Sequence, residues 1–241
     1  MKTYQREILL PMDYEESSPR IDFKFTLLDI EKNSKFAFLG DHLYGGLSTD
    51  EYVSSVFEEL ENLFLANFQS IESFFPESAS FQWEYSETMS YNLLNENSMV
   101  LMIDTYTYTG GAHGMPGRKY YVFDLLESRI LHRKDFFREG TDERLYGIVY
   151  SALLNYNNEK GARFLADEIP LSQGIFFDNK PKMTNNFFIN QDGFGLCWEP
   201  YEIAPYSEGF IEIVLPWRLI RPLLQHDIME LLEKYGIPMF M

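Results

Sequence analysis

The sequence predicts an α+β protein, and three observations carry that prediction. Apolar and polar residues alternate with period two from Arg20 to Ile30 and again in successive runs between Phe81 and Phe123, as half-buried strands require. Val53, Val56, Phe57, Leu60, Leu63, Phe64 and Phe68 instead recur at helical spacing, with Glu51, Glu58, Glu59 and Glu61 occupying much of the remainder. A bend rich in glycine, Gly110, Gly111, Gly114 and Gly117 with Pro116, joins two strand-like runs, so strands and helices are mixed along the chain.

Each element follows in order. A strand is expected at Arg6 to Leu10, then a polar stretch from Asp13 to Pro19. From Arg20 the residues Ile21, Phe23, Phe25 and Leu27 share one strand face, against Asp22, Lys24 and Thr26 on the other. Phe36 to Leu39 reads as a short extended segment and Gly40 to Gly46 as loop. Ser48-Thr-Asp-Glu51 matches a capping box, which starts the long helix. After Pro76 the period becomes two, predicting antiparallel strands over Phe81 to Met89, Ser90 to Asn95 and Met99 to Thr109, with Asn95-Glu-Asn97 as a tight turn. A strand from Arg118 to Phe123 pairs with its predecessor, and Leu131 to Phe137 connects onward, Lys134 to Phe137 forming a helical turn. Thr141 caps a helix carrying Leu145, Ile148, Val149, Ala152 and Tyr156 on one face, interrupted at Gly161. Leu165 to Thr184, broken by Pro170, Gly174 and Pro181, reads as mostly loop. Three strands follow, Asn186 to Gln191, Gly193 to Glu199 and Gly209 to Leu215, the first two joined by Gln191-Asp-Gly193. A C-terminal helix from Pro216 is kinked or restarted by Pro222 and ends before Gly236 and Pro238.

The bend holds one titratable side chain, His113. Four glycines within eight residues imply positive φ or close backbone approach, which a Cβ resists. The run Tyr108-Thr-Gly-Gly-Ala-His-Gly114 followed by Tyr120-Tyr-Val-Phe-Asp-Leu125 resembles the junction of a two-domain family of bacterial envelope proteins. That family includes the extracytoplasmic region of the anti-sigma-V factor, a lysozyme receptor, and the domain preceding the catalytic domain of a peptidoglycan deacetylase. Trp198-Glu-Pro-Tyr-Glu-Ile-Ala-Pro-Tyr-Ser-Glu-Gly209 and Ile211-Glu-Ile-Val-Leu-Pro216 resemble the distal part of its second domain. The resemblance extends over roughly Phe81 to Leu224 and weakly over the first eighty residues. It implies two α+β lobes, each a mainly antiparallel sheet with packed helices: an N-terminal domain over 1–112 of the deacetylase-associated type and a C-terminal domain over 113–241 of the anti-sigma-V type. The second lobe would adopt a heat-shock cognate ATPase-like subdomain fold, a label that carries no ATPase function.

Composition excludes several classes of function. A formal charge of −17 repels a phosphate backbone, so nucleic acid is not expected as a partner, whereas a basic protein is its electrostatic complement. With 45% hydrophobic and 17% aromatic residues the chain can bury a core. Cys197 is the only cysteine, which rules out an intramolecular disulfide, and its neighbours Gly195, Leu196 and Trp198 mark it as a buried strand thiol. No run reaches the ~18 apolar residues of a membrane span. The start, Met1-Lys-Thr-Tyr-Gln-Arg-Glu, lacks the apolar core of a signal peptide. On the resemblance, the chain would be a mature fragment of an envelope protein, periplasmic or surface-exposed and lipid-anchored in its precursor.

Candidate chemistry is sparse. His42, His113, His132 and His226 follow no ligand spacing and no metal site is expected. No Gly-x-Ser-x-Gly elbow occurs, and Gly110 to Gly114 lacks the Lys-Ser/Thr of a phosphate loop, so no cofactor is expected either. The remaining polar candidates are His113 with Gly111 and Gly114, and Glu199, Tyr201 and Tyr206, with Glu202 and Glu208 nearby. These point to a binding or sensing module without enzymatic activity, its ligand a basic protein such as lysozyme or a cell-wall glycan, as the resemblance implies. The alternative is a glycan- or peptidoglycan-acting hydrolase, which requires His113 and a carboxylate within hydrogen-bond reach in one pocket. A structural module with no small ligand is the third reading.

Overall fold

A computed structural model describes residues 1–9, 19–32, 34, 36–71, 81–161 and 170–239. The expected polar stretch at 13–18 and the segment 165–169 lie outside the described residues. The architecture is α+β, with a six-stranded sheet in the order β1-β2-β3-β4-β5-β6 and a three-stranded sheet in the order β7-β8-β9. Contacts divide the chain into two units, the first Met1–Ser90 with Ile103–Gly117 and the second Tyr91–Met102 with Arg118–Met241.

In the first unit, β1 (Lys2–Leu9) runs antiparallel to β2 (Arg20–Leu27), Lys2 opposite Leu27 and Leu9 opposite Arg20. The predicted face of Ile21, Phe23, Phe25 and Leu27 is buried. Strand β2 then pairs in parallel with β3 (Gln82–Asn95), Arg20 opposite Gln82, which departs from the antiparallel expectation. The cause is the crossover: α1 (Ala37–Tyr44) and α2 (Thr49–Ile71) carry the chain back to the end of the sheet where β2 began. Helix α2 begins as predicted, with the Glu51 carboxylate accepting from the Ser48 amide at 2.7 Å and the Ser48 hydroxyl accepting from the Glu51 amide at 3.3 Å. Its buried line is Val53, Phe57 and Phe64, with Phe57 edge-on to Phe23 at 4.8 Å and to Phe25 at 5.3 Å, and Phe64 edge-on to Trp83 at 5.2 Å. Leu63, one position off that line, is exposed.

Two local expectations need correction here. Residues 37–44 are helical rather than extended and looped, and the glycines act only at the end, where Gly45 at φ 62° stops α1. The helix forms because Leu39 and Tyr44 are buried on one side, with the Tyr44 hydroxyl donating to the Leu28 carbonyl at 2.7 Å. The strands expected at Phe81–Met89 and Ser90–Asn95 are one strand, β3, joined to β4 (Ser98–Tyr108) by the predicted turn. There the Asn95 side-chain carbonyl accepts from the Asn97 amide at 2.8 Å.

Strand β5 (Met115–Asp124) starts earlier than predicted and includes Pro116 and Gly117. Proline is tolerated because β6 (Arg129–Leu131) pairs only with Val122–Asp124, leaving β5 without a second strand neighbour at Pro116 among the described residues. Of β6 only Leu131 falls in the connection expected over Leu131 to Phe137. The turn before β6 is organised by buried Asp124, which accepts from the amides of Leu126 and Glu127 and from Arg129 Nε, each at 3.2 Å.

In the second unit, β7 (Phe187–Ile189), β8 (Gly193–Trp198) and β9 (Ile211–Pro216) form an antiparallel meander at the three predicted places. Every residue of central β8 is buried, and Phe194 meets Phe136 and Phe187 at 5.2 and 4.9 Å. Around it pack α3 (Arg133–Phe136), α4 (Asp142–Gly161), α5 (Trp217–Ile220) and α6 (His226–Lys234), which contribute Phe136, Leu145, Val149, Leu153, Ile220, Ile228 and Leu232 to one apolar core. Thr141 precedes α4 as predicted, its hydroxyl donating to the Arg138 carbonyl at 2.6 Å. Pro222 separates α5 from α6 within a 3-10 turn over Arg221–Leu223, as its missing amide hydrogen requires.

Candidate functional site

The predicted site residues divide between the units. His113, Gly111 and Gly114 lie in the first, whereas Glu199, Tyr201 and Tyr206 lie in the second.

In the first unit the β4–β5 connection turns through Gly110 at φ 91° and Gly111 at φ 101°. Open space surrounds Gly111, so its backbone angle and not crowding is what calls for glycine. The Tyr108 hydroxyl donates to the Gly111 carbonyl at 3.1 Å. Gly114 serves differently: a Cβ there would lie 2.3 Å from the Tyr106 ring. His113 is exposed between them, its Nδ1 3.0 Å from the Gly114 carbonyl oxygen.

In the second unit Glu199 follows the end of β8 and reaches β5. Its Oε1 accepts from the Arg118 amide and its Oε2 from Lys119 Nζ, both at 2.9 Å. Beside this pair, Glu212 of β9 accepts from Arg118 Nη1 at 3.2 Å and from the Tyr120 hydroxyl at 2.9 Å, and the Arg118 guanidinium lies 4.6 Å over the Phe210 ring. The near-buried Asn186 side chain completes the join. Its Oδ1 accepts from the Tyr120 amide at 2.8 Å and its Nδ2 donates to the Arg118 carbonyl at 2.7 Å, so one side chain does what a neighbouring strand would do for β5. Burial, then the hydrogen bond to Glu212, pushes the Tyr120 phenol above its ordinary range. Cys197 beneath is fully buried, and burial followed by the Glu212 charge raises its thiol, so it is held protonated and unreactive.

Beyond Glu199 the chain forms a tied loop. The Glu199 amide donates to Glu202 Oε2 at 2.7 Å, the Tyr201 amide to the Ala204 carbonyl at 3.1 Å, and the Phe177 amide to the Ile203 carbonyl at 3.0 Å. Ile203 and Ala204 are buried and anchor the loop below. Above them Tyr201 is 49% exposed and pairs with Tyr206 at 5.7 Å between ring centroids. Tyr201 also stands at φ 70°, a left-handed backbone that bulky residues seldom occupy. A loop tied at these points, with Tyr201 exposed on a strained backbone and Tyr206 half-buried beside it, provides an aromatic stacking ledge.

Chemically this arrangement is suited to recognition. Glu199 is neutralised by Lys119, Glu212 by Arg118, and Cys197 is sealed in the core. Among the described residues no three His, Cys, Asp or Glu side chains converge as metal ligands do. A groove of about 730 Å³ in the same unit, between α4 and β9–α5, is walled by Ile148, Ala152, Val214, Pro216 and Leu219 and by none of the predicted residues. Glu199 reaches β5 and Tyr201 and Tyr206 share the loop beyond it, whereas Arg118, Tyr120, Asn186 and Glu212, which complete the join, were not among the expected residues. The motif Arg118-Lys-Tyr120 beside the glycine bend was the available signal, but its partners lie about seventy to ninety positions away in sequence.

Comparison with known proteins places these features in context. Residues 134–218 match the family model described as a protein of unknown function, DUF3298. Over 139 residues, 56% of this chain, the sequence is 26% identical to the peptidoglycan-N-acetylmuramic acid deacetylase PdaC of Bacillus subtilis (strain 168), of whose length the match spans 28%. The fold is shared with a crystal structure of a DUF3298 family member from Bacteroides fragilis, at TM-score 0.75 and 19% identity over 99% of this chain and 96% of that one. A DUF3298 family protein from Pseudomonas aeruginosa PAO1 is similar at TM-score 0.59 and 18% identity, covering 94% of each chain.

Proposed function

We propose that this protein is a non-enzymatic extracytoplasmic binding or sensing module of the bacterial cell envelope, with the Tyr201–Tyr206 ledge as its contact surface. The observation that carries the reading is the strained, half-exposed Tyr201 on a loop whose every turn is tied down. Backbone strain of this kind costs on the order of 1–3 kcal/mol and is concentrated at sites that bind or react. A cell-wall glycan is the ligand class favoured, because sugar faces stack on tyrosine and because the Bacillus subtilis relative is named for acting on peptidoglycan. A basic protein such as lysozyme is the second ligand considered, on the charge of −17. The division into domains over 1–112 and 113–241 belongs to the same proposal, as do envelope location and a lipid anchor.

The test is calorimetric titration with soluble peptidoglycan fragments and, separately, with lysozyme at low and moderate salt. Binding that weakens at least tenfold in Tyr201→Ala and Tyr206→Ala supports the ledge. No heat with either ligand removes the proposal. The competing reading, a glycan-acting hydrolase that uses His113 and a nearby carboxylate, draws on the activity for which that relative is named. It predicts acetate or new reducing ends released from peptidoglycan, and loss of that release in His113→Ala.

A further inference from the structure

In a chain with 37 acidic residues against 20 lysines and arginines, a concave site whose charged lining is arginine runs against the composition. One exists in the second unit. A cavity of about 370 Å³ is lined by Arg138, Arg218, Arg221, Pro222, Leu224 and Met229, and among the described residues no acidic side chain contributes to its wall. Three elements bring the arginines together. Arg218 lies on α5, Arg221 opens the 3-10 turn that follows, and Arg138 comes from the segment after α3.

Backbone pairing makes this a built feature. Phe137 bridges Leu224, the Arg138 amide donates to the Leu223 carbonyl at 2.9 Å, and the Gln225 amide donates to the Phe136 carbonyl at 2.8 Å. The Arg138 side chain is itself anchored, its Nη2 donating to the Pro222 carbonyl. Arg218 is exposed and has no ion-pair partner among the described residues.

The planar forks of guanidinium groups match the oxygen pairs of a phosphoryl group. The geometry points to a phosphate-binding site at Arg138, Arg218 and Arg221, which takes a phosphoryl group carried on a larger body. The second part follows from size and lining. A cavity of 370 Å³ exceeds a bare phosphate, and Pro222, Leu224 and Met229 offer an apolar floor to whatever the phosphate is attached to. This site shares no residue with the tyrosine ledge, and its fate is independent of that reading.

The experiment uses the full chain and three probes: inorganic phosphate, glucose 1-phosphate as a monoester, and glycerophosphoglycerol as a diester. Acetate at matched ionic strength serves as the control. Binding is read by ³¹P line broadening and by the rise in melting temperature, which follows RT ln(1 + [L]/Kd). The expected result is saturable binding of at least one phosphoryl probe, weakened tenfold or more in Arg218→Gln and in Arg221→Gln, with acetate inert. Arg218 is exposed, so Arg218→Gln keeps the parent melting temperature without ligand and isolates the binding effect. Preference for the diester assigns the site to a polymer or lipid headgroup, and preference for the monoester to a small phosphorylated molecule. No binding of any phosphoryl probe, equal binding of acetate, or binding unchanged in both variants overturns the site.

Discussion

Glu87 shows how one residue's surroundings decide its charge. It is 3% exposed on β3, and its Oε2 accepts from the hydroxyls of Tyr52 at 2.9 Å and Tyr85 at 3.1 Å. Those bonds favour the carboxylate, but burial outweighs them and its pKa is raised above the ordinary glutamate value. A raised acid binds its proton more tightly in the folded state than in the unfolded one. Its contribution to stability is therefore fully present below the unfolded pKa and is lost as pH rises through the folded one. Urea midpoints measured upward from pH 4 should carry this falling component, and Glu87→Gln should remove it. A Glu87→Gln profile that superimposes on the parent would refute the assignment. Glu51 behaves oppositely: its bonds to Ser48, then to Lys32, hold it down to about 2, so the capping box is lost only as pH falls from the ordinary glutamate range toward that value. Tyr201 supplies a second residue-scale prediction. Replacing it with glycine relieves the φ of 70°, so Tyr201→Gly should keep or raise the melting temperature while abolishing glycan binding. A fall of several degrees would show that the tyrosine serves the fold instead.

At the scale of elements, the three-stranded sheet depends on close approach at its first turn. A Cβ at Gly193 would lie 2.2 Å from the Leu215 carbonyl oxygen of β9, a backbone atom that cannot swing aside. Gly193→Ala should cost about 1–3 kcal/mol by chemical denaturation, in the range of overpacked cores. A neutral result would mean that β8 and β9 separate more easily than their pairing implies. The same turn is held by Asn190, whose side-chain oxygen accepts from the amides of Asp192 and Gly193 at 2.9 Å. Asn186 binds β5 to this region with two hydrogen bonds, both of them to backbone. Asn186→Ala strands an amide and a carbonyl of β5 and should destabilise by roughly 1–3 kcal/mol. Proton exchange at the Tyr120 amide should quicken in the same variant.

For the molecule as a whole, charge is the property that reaches solution behaviour. No helix among the described residues is long and apolar enough to cross a membrane. With a net charge of −17, association with a basic protein should slow steeply as salt rises, the change appearing in the on-rate more than in the off-rate. Stopped-flow or biosensor kinetics between 20 and 300 mM salt would check this. A salt-independent on-rate would leave the charge with no role in recognition.

What the sequence by itself determined was local. Periodicity located α2 and its Val53–Phe57–Phe64 line, the Ser48–Glu51 box, the Glu96–Asn97 turn and the three strands of the second sheet, because each is set by residues within one turn or one hairpin. One continuous segment supplied Glu199, Tyr201 and Tyr206 as candidates. Tertiary structure alone decided that β2 and β3 run parallel, that residues 37–44 coil into a helix, and that Pro116 lies within a strand. It alone joined Glu212 to Tyr120, Asn186 to β5, and three arginines around one cavity. The parallel pairing, the Asn186 and Glu212 contacts and the arginine cluster rest on partners about sixty to ninety positions apart, and side-chain spacing along a chain encodes a residue's own face but not what the fold brings against it.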